Sequence, residues 1–359
     1  METSYASSNS LRATLHYIMP FLEHLHRVVD RVDLTPDQAQ DAMDAILRGE
    51  TSAAQTGAFL AALRMKGETA EELAGFARAM RARAHAVRPR PEGPPLVDTC
   101  GTGGDAASTF NISTVTAFVL AGAGLRVAKH GNRSISSHTG SADVMERLGV
   151  RVTLTADQIA RCIDEVGIGF LFAPALHPAM KHAQPVRLEL KMRTVFNLLG
   201  PLTNPAGARI QLAGAPSPQA ARLLAQALGA LGLERGWVVH GADGLDEIST
   251  TGATEAFEIE RGAVRQRILY PEDFGLPRAS LADLQCAGRE ASMQTAQAVL
   301  HGAPGPARNI VLANASAALV AAGRAASFPE GVALAAEAVD SGAARRKAAE
   351  LAAFTQAFG

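Results

Sequence analysis

The sequence predicts an α/β protein in which a small N-terminal helical domain precedes a larger domain with a mainly parallel central sheet flanked by helices. Three observations predict it. Helix-start signals recur through the first 86 residues, a proline-rich stretch then stops the helical pattern, and short apolar runs beyond it alternate with glycine turns and helical segments. The expected boundaries are residues 1–92 for the helical domain and 93–359 for the α/β domain.

Residues 1–18 are polar and mixed, and the first convincing helical pattern follows Met19. Thr35-Pro36-Asp37-Gln38 joins an N-cap, a proline at the first helical position and a glutamine spaced to reach back to the cap. Ser52 with Gln55 and Thr69 with Glu72 repeat that spacing. Leu73, Phe76 and Met80 then share one helical face, so the region reads as three to four helices. Arg88–Pro95 carries four prolines in eight residues, cannot continue a helix, and reads as a solvated boundary or hinge.

Past the hinge, Leu96–Val97, Leu125–Ala128, Ile168–Phe172 and Trp237–His240 read as strands. Thr114–Gly122 reads as an apolar helix and Ala142–Leu148 as a short one. His177–His182 opens another helix after Pro178, and the alanine-rich last 50 or so residues read as two closing helices. Short strands alternating with helices belong to a parallel sheet covered on both faces, and ligands of such sheets sit at the carboxyl ends of the strands.

Composition removes several classes of function. Apolar residues make up 47% of the 359 and charged residues 19%, which suits a globular chain with a sizeable core. Lys plus Arg, 34, nearly balances Asp plus Glu, 35, so no whole-protein field attracts nucleic acid or a membrane, and any anion must be bound locally. Cys100, Cys162 and Cys286 are widely spaced, which argues against a disulfide framework or a zinc site and leaves Cys100 a packed thiol among apolar or small neighbours. No apolar run approaches the ~20 residues of a membrane span, and no signal peptide opens the chain, so a cytoplasmic home is expected. Asn111, Asn132 and Asn314 match the glycosylation pattern, which is read as coincidence.

Four polar stations carry the chemistry. Gly101–Asp105 (GTGGD) follows a strand and lets backbone N–H groups approach an anion, while Asn111 and Ser113 in the NIST run Asn111–Thr114 cap the next helix. Lys129–Ser134 (KHGNRS) ends a strand, with Lys129 a compact cation, Gly131 a turn, and His130 and Asn132 able to orient a planar substrate. Ser134, Ser136 and Ser137 add hydroxyls. Asp246 and Glu247 follow a strand and glycine turn, where adjacent carboxylates suit one or two magnesium ions, and Asp243 and Asp105 rank behind them. Arg187 and Arg193 offer a guanidinium fork to a substrate carboxylate. Together the stations supply what a magnesium-bound phosphorylated sugar requires.

GTGGD, TFNIST, KHGNRS, SSxxGSADV, HPAMKH, PVRxEL, RTVFNLLGPLTNPA and VVHGxDGLDE occur in that order across roughly residues 19–325. The chain thereby resembles the anthranilate phosphoribosyltransferase family; KHGN separates that family from the pyrimidine nucleoside phosphorylases, which share its fold. The resemblance implies transfer of a phosphoribosyl group from phosphoribosyl pyrophosphate to anthranilate in tryptophan biosynthesis. It also implies a homodimer through the helical domains, and a segment near 176–193 that returns to the helical side. A different aromatic amine or a nucleobase is the alternative acceptor.

Carried over by motif, phosphoribosyl pyrophosphate would contact Gly101, Gly104, Asp105, Thr109, Asn111, Ile112, Ser113 and Thr114. It would also contact Lys129, His130, Gly131, Asn132, Arg133, Ser134, Ile135, Ser136, Ser137 and Ser141. Anthranilate would use Gly101, Asn132 and Arg187, and two magnesium ions would use Ser113, Asp246 and Glu247. Lys129 would neutralise charge on the leaving pyrophosphate, and His130 is the candidate proton acceptor. Three positions depart from the family pattern: Ala106 for a glycine, His138 for a lysine and Lys191 for a glycine.

Overall fold

The computed structural model describes residues 21–104, 108–133 and 140–358. The chain forms two compact units, one ending at Ala84 and completed by His177–Thr203, the other made of His85–Leu176 and Asn204 onward.

In the first unit residues 21–29 are helical (α1), followed by α2 (Pro36–Arg48), α3 (Ala53–Lys66) and α4 (Ala70–Ala82). All three expected capping boxes form, on Thr35, Ser52 and Thr69. In each the hydroxyl accepts an N–H of the first turn while Gln38, Gln55 or Glu72 accepts the cap N–H, at 3.1, 2.8 and 2.9 Å. A cap of this kind contributes about 1 kcal/mol. Glu72, fully buried, also accepts the Leu34 N–H and pairs with Lys66 Nζ at 3.0 Å, so one carboxylate ties three turns together. A Cβ on Gly75 would lie 2.2 Å from the Pro36 carbonyl oxygen, so α2 and α4 cross with their backbones in contact.

The segment His177–Thr203 packs into this unit through a 3-10 turn at Pro178–His182 and two short helices. Between the strands of the second unit described below lies α8 (Ala173–Leu176), so these two are α9 (Gln184–Leu190) and α10 (Phe196–Leu199). Arg64 donates to the Arg193 carbonyl at 2.8 Å and Arg81 to the Leu202 carbonyl at 2.7 Å, which fastens the segment to α3 and α4.

The second unit holds a seven-stranded sheet of β1 (Leu96–Asp98), β2 (Arg126–Gly131), β3 (Ile168–Phe172), β4 (Ile210–Gly214), β5 (Arg235–Gly241), β6 (Thr254–Glu260) and β7 (Ala263–Leu269). Its order is β3-β2-β1-β4-β5-β6-β7. The five strands from β3 to β5 are parallel, and β6 and β7 extend the sheet as antiparallel neighbours. Helices α5 (Ile112–Gly122), α6 (Ser141–Arg147), α7 (Ala156–Val166), α11 (Pro218–Ala230), α12 (Gly288–Leu300), α13 (Pro306–Ala321), α14 (Phe328–Asp340) and α15 (Ala343–Gln356) complete the unit. α5 is apolar nearly all round because α13, α14 and α15 enclose it.

Three features differ from the sequence reading. The two units divide at Ala84/His85, and the proline stretch belongs to the second unit. Arg126 donates to the carbonyls of Arg90 and Glu92, both at 2.8 Å, while Asp164 accepts the Arg90 N–H and pairs with Arg126 at 2.7 Å. β4, β6 and β7 had no sequence-level expectation. β7 is exposed at most positions and reads Arg265-Gln266-Arg267 at its centre, so it lacks the apolar alternation that marks a strand. Three helices close the chain rather than two, because α13 begins at Pro306 and Ser327 caps a separate α14. Among the described residues, no helix is long and apolar enough to cross a membrane.

Candidate active site

The parallel strands β1, β2, β4 and β5 all end at one edge of the sheet, and the polar stations follow those ends. After β1 the chain passes through Gly101 to Gly104, where Gly103 and Gly104 take φ values of 64° and 84°, a conformation glycine adopts without steric cost. The loop is seated on β4: Thr102 N–H donates to the Gly214 carbonyl at 2.9 Å, and a Cβ on Gly101 would come within 3.0 Å of Gly214. Asn111 then caps α5, its Oδ1 accepting the Thr114 N–H at 3.1 Å and the Ser113 hydroxyl at 3.3 Å. Thr109 bridges to Gln285, which fixes the far side of the loop.

Asp246 and Glu247, both half-buried, lie five and six residues past β5. Asp246 Oδ2 accepts the Gly103 N–H at 2.9 Å, so the glycine loop and the carboxylates are direct neighbours. Gly214 makes this possible, since a Cβ there would sit 1.5 Å from the Asp246 carbonyl oxygen. Asp243, ranked second for metal on sequence, is instead the organiser of its loop. It accepts the hydroxyls of Ser249 and Thr251, both at 2.6 Å, and the Leu245 N–H at 3.2 Å.

Beneath the glycine loop lies a buried polar cluster that includes Lys129 and His130. Both are 2% exposed. Lys129 Nζ donates to the carbonyls of Thr99 and His130, each at 3.2 Å, so it ties the ends of β1 and β2 together. His130 is enclosed with Asp98 and Cys100, their polar atoms within 4.8 Å of one another. Asp98 accepts the N–H groups of His130 and Cys100, both at 3.1 Å, and the Asn204 amide at 2.7 Å. Burial pushes the Asp98 carboxyl up, against the Lys129 charge and these hydrogen bonds, which pull it down. Burial first, and then the Asp98 charge, pushes the Cys100 thiol up to about 12. Cys100 is thus a packed thiol, but its neighbours are charged rather than apolar.

At the end of β2, a Cβ on Gly131 would lie 2.2 Å from Ser141 Oγ, and Ser141 in turn accepts the Asn132 N–H at 3.1 Å. Asn132 is exposed, as is Arg133, whose guanidinium pairs with Glu146 at 2.5 Å and Asp143 at 3.3 Å. Arg133 therefore braces α6, the solvated reading of that residue. Asp105, Ala106, Ser134, Ile135, Ser136, Ser137 and His138 lie outside the described residues.

Arg187, on α9 of the first unit, rests over the Phe196 ring at 5.1 Å and donates to Gln184 at 3.3 Å. Burial pushes its guanidinium below the ordinary value, and among the described residues no carboxylate lies within ion-pair distance of it. Gly101 and Asn132, the other expected anthranilate contacts, belong to the second unit. Lys191 adopts φ 46°, the left-handed region, at the position where the family pattern has glycine. Sequence reasoning assigned no role to Asp98, Asn204 or Gly214. Gly214 ends a strand that no periodicity marked, and Asn204 stood unremarked inside the long RTVFNLLGPLTNPA run.

A mostly parallel sheet with glycine amides beside paired carboxylates, together with a helical bundle unit, is the architecture of a glycosyl transferase family. The α/β domain of that family matches residues 93–345, and its helical bundle domain matches residues 22–84. Within it, the chain belongs to the anthranilate phosphoribosyltransferase family. The anthranilate phosphoribosyltransferase of Solibacter usitatus is 61% identical over 336 residues, 94% of this chain and 99% of that protein. That of Moorella thermoacetica is 52% identical over 93% of this chain and 98% of its own length. The crystal structure of the Thermus thermophilus enzyme superposes with a TM-score of 0.87 at 42% identity, covering 93% of this chain and 99% of that one. The Saccharomyces cerevisiae enzyme in complex with phosphoribosyl pyrophosphate and magnesium gives 0.85 at 27% identity, covering 94% and 98%. The same yeast enzyme has also been solved with 4-fluoroanthranilate, at a TM-score of 0.83, 26% identity and the same coverage.

Proposed function

We propose that the protein transfers the 5-phosphoribosyl group of phosphoribosyl pyrophosphate to the amine of anthranilate, releasing pyrophosphate, as a step in tryptophan biosynthesis. The observation that carries this reading is the Gly103 N–H to Asp246 contact, which sets an anion-binding loop against a pair of carboxylates. An anion loop alone binds phosphate, and a carboxylate pair alone is a surface feature; side by side they suit a diphosphate that carries a divalent cation.

Asp246, Glu247 and the Ser113 hydroxyl would hold magnesium, and their all-oxygen donor set fits a hard cation. The Asp98, Cys100 and His130 cluster does not, because it offers a thiol and an imidazole beside a single carboxylate where a hard cation takes oxygen donors. When bound, magnesium neutralises charge on the pyrophosphate as it leaves; the relatives' magnesium supports the metal, and two adjacent carboxylates support two ions. The chain's own groups do the rest. Backbone amides of Gly101–Gly104 and the N-terminus of α5 bind the phosphates, and Asn132 and Ser141 border the ribose phosphate. Lys129, from beneath, keeps the ends of β1 and β2 in register. Arg187 takes the anthranilate carboxylate with a fork already oriented over Phe196.

In the transfer, the bond from ribose C1 to the pyrophosphate oxygen breaks and a bond from C1 to the amine nitrogen forms. The nitrogen then loses a proton. The ribose passes through oxocarbenium character, so positioning and electrostatic stabilisation matter more than a nucleophile. The donor groups belong to the second unit and Arg187 to the first. Val29, Val32, Met65 and Leu188 are exposed apolar side chains of the first unit and support pairing of two copies there. A biosynthetic role of this kind places the enzyme in the cytoplasm.

A steady-state assay with phosphoribosyl pyrophosphate, magnesium and a panel of acceptors tests the reading. Anthranilate should be turned over with one pyrophosphate released per product. A preference for another aminobenzoate or for a nucleobase would overturn it.

A further inference from the structure

Asn314 is a polar residue with no exposure, sitting in α13 among Ala313, Ala315, Ala317 and Ala318. Its side-chain amide pairs with both backbone groups of one distant residue. Oδ1 accepts the Ile248 N–H at 2.9 Å, and Nδ2 donates to the Ile248 carbonyl at 3.0 Å and to the Ile310 carbonyl at 2.8 Å. Ile248 is the residue that follows Glu247, and it lies in a loop where no strand supplies those bonds. The amide thus replaces a missing strand neighbour, which accounts for a buried polar side chain in an alanine-rich helix.

We propose that Asn314 is a positioning residue that holds Asp246 and Glu247 in place for a divalent cation, an inference that rests on the metal reading of that pair. The carboxylate loop is gripped on three sides. Asp243 gathers Leu245, Ser249 and Thr251 at its ends, and Gly214 admits the Asp246 carbonyl against β4. Asn314 fixes the remaining degree of freedom, the height of the pair above the rigid helix. Neither an aspartate nor a leucine can substitute, since the first cannot donate to the Ile248 carbonyl and the second can do neither. Groups that orient metal ligands from behind typically change metal affinity or activity by about 10- to 100-fold when removed.

The test is calorimetric affinity for Mn2+ in the presence of phosphoribosyl pyrophosphate, for the full chain and for Asn314→Ala and the milder Asn314→Ser. Ser316→Ala serves as the control, because it removes a hydrogen bond of another buried side chain on the same helix, to the Phe328 carbonyl at 2.7 Å. Both Asn314 variants should bind Mn2+ about tenfold or more weakly. They should also need correspondingly more Mg2+ for half-maximal turnover, with the Michaelis constant for anthranilate unchanged at saturating metal. The control should lower the melting temperature without moving the metal affinity. Wild-type Mn2+ affinity in a folded Asn314→Ser would overturn the inference. The double variant Asp246→Ala with Glu247→Ala separates the two claims. If it retains Mn2+ affinity, the metal reading fails; if it loses affinity while Asn314→Ser keeps it, only the positioning role fails.

Discussion

The glycine loop and the carboxylate loop touch through Gly103 and Asp246, yet they are held by opposite means. The glycine loop is anchored chiefly through its main chain, Thr102 N–H to Gly214 and Cys100 N–H to the Asp98 carboxylate, with the Thr102 hydroxyl adding a bond to the Gly214 carbonyl at 3.3 Å. The carboxylate loop is anchored by side chains: Asp243 with two hydroxyls, Asn314 across 66 residues of sequence, and Thr254 Oγ1 accepting the Ser249 N–H. The difference follows from charge. A loop that offers N–H groups to an anion works best with small residues that let the anion approach. Two adjacent carboxylates repel each other and prefer water, so such a loop keeps its place only where other groups grip it.

The largest break in this arrangement should come from Gly214→Ala, since the new Cβ would overlap the Asp246 carbonyl. Overpacking on this scale, against backbone, should cost at least about 3 kcal/mol in urea unfolding or prevent folding. Wild-type stability in this variant would mean that the carboxylate loop is not in backbone contact with the end of β4.

Next in size is Arg187→Ala, which leaves both loops intact. Losing a charge-assisted hydrogen bond costs about 1.5–3 kcal/mol, or roughly 10- to 150-fold in the Michaelis constant for anthranilate. The constant for phosphoribosyl pyrophosphate should stay put. An equal rise in both would make Arg187 structural.

The contrast between the loops also explains how much was legible in advance. The helical unit and the glycine loop announced themselves because caps, glycines and apolar periodicity are local signals, and Thr35, Ser52, Thr69 and Asn111 all cap as their spacing implied. Asp246 and Glu247 were visible as residue types. What holds them was not, because Asn314 and Gly214 act over long stretches of sequence and look like an ordinary helix amide and an ordinary strand-end glycine. The burial of Lys129 and His130 was not legible for a related reason. A motif gives identity and spacing, but burial decides which way a side chain points, and both are enclosed beneath the loop that they were expected to serve.

The thiol under that loop gives a smaller effect with a definite sign. Burial pushes Cys100 and Cys162 up to about 12, above the ~8.5 of an unfolded thiol. The folded state therefore holds these protons longer, and the stability they contribute is present below pH ~8.5 and lost as pH rises toward the folded value. Native protein at pH 8 should leave both unalkylated by iodoacetamide while urea exposes them. Rapid native labelling of Cys100 would place it outside the buried cluster.

Smallest of all is Lys191→Gly. A side chain in the left-handed region costs about 1–2 kcal/mol, partly offset by the ~0.5–1 kcal/mol of added chain freedom that glycine brings to the unfolded state. The net should be a gain of at most about 1.5 kcal/mol in thermal unfolding, with turnover unchanged. A clear loss of stability would mean that the lysine makes contacts worth more than its strain.

The division of labour between the loops is tested most directly by calorimetric binding of phosphoribosyl pyrophosphate, with and without Mg2+, to the wild type and to the Asp246→Ala, Glu247→Ala double variant. The glycine loop should bind the metal-free diphosphate equally well in both proteins, or slightly better in the variant, where two negative charges are gone. Adding Mg2+ should tighten binding to the wild type alone. If Mg2+ tightened both proteins to the same extent, the carboxylate loop would not be the seat of the metal and the account would be contradicted.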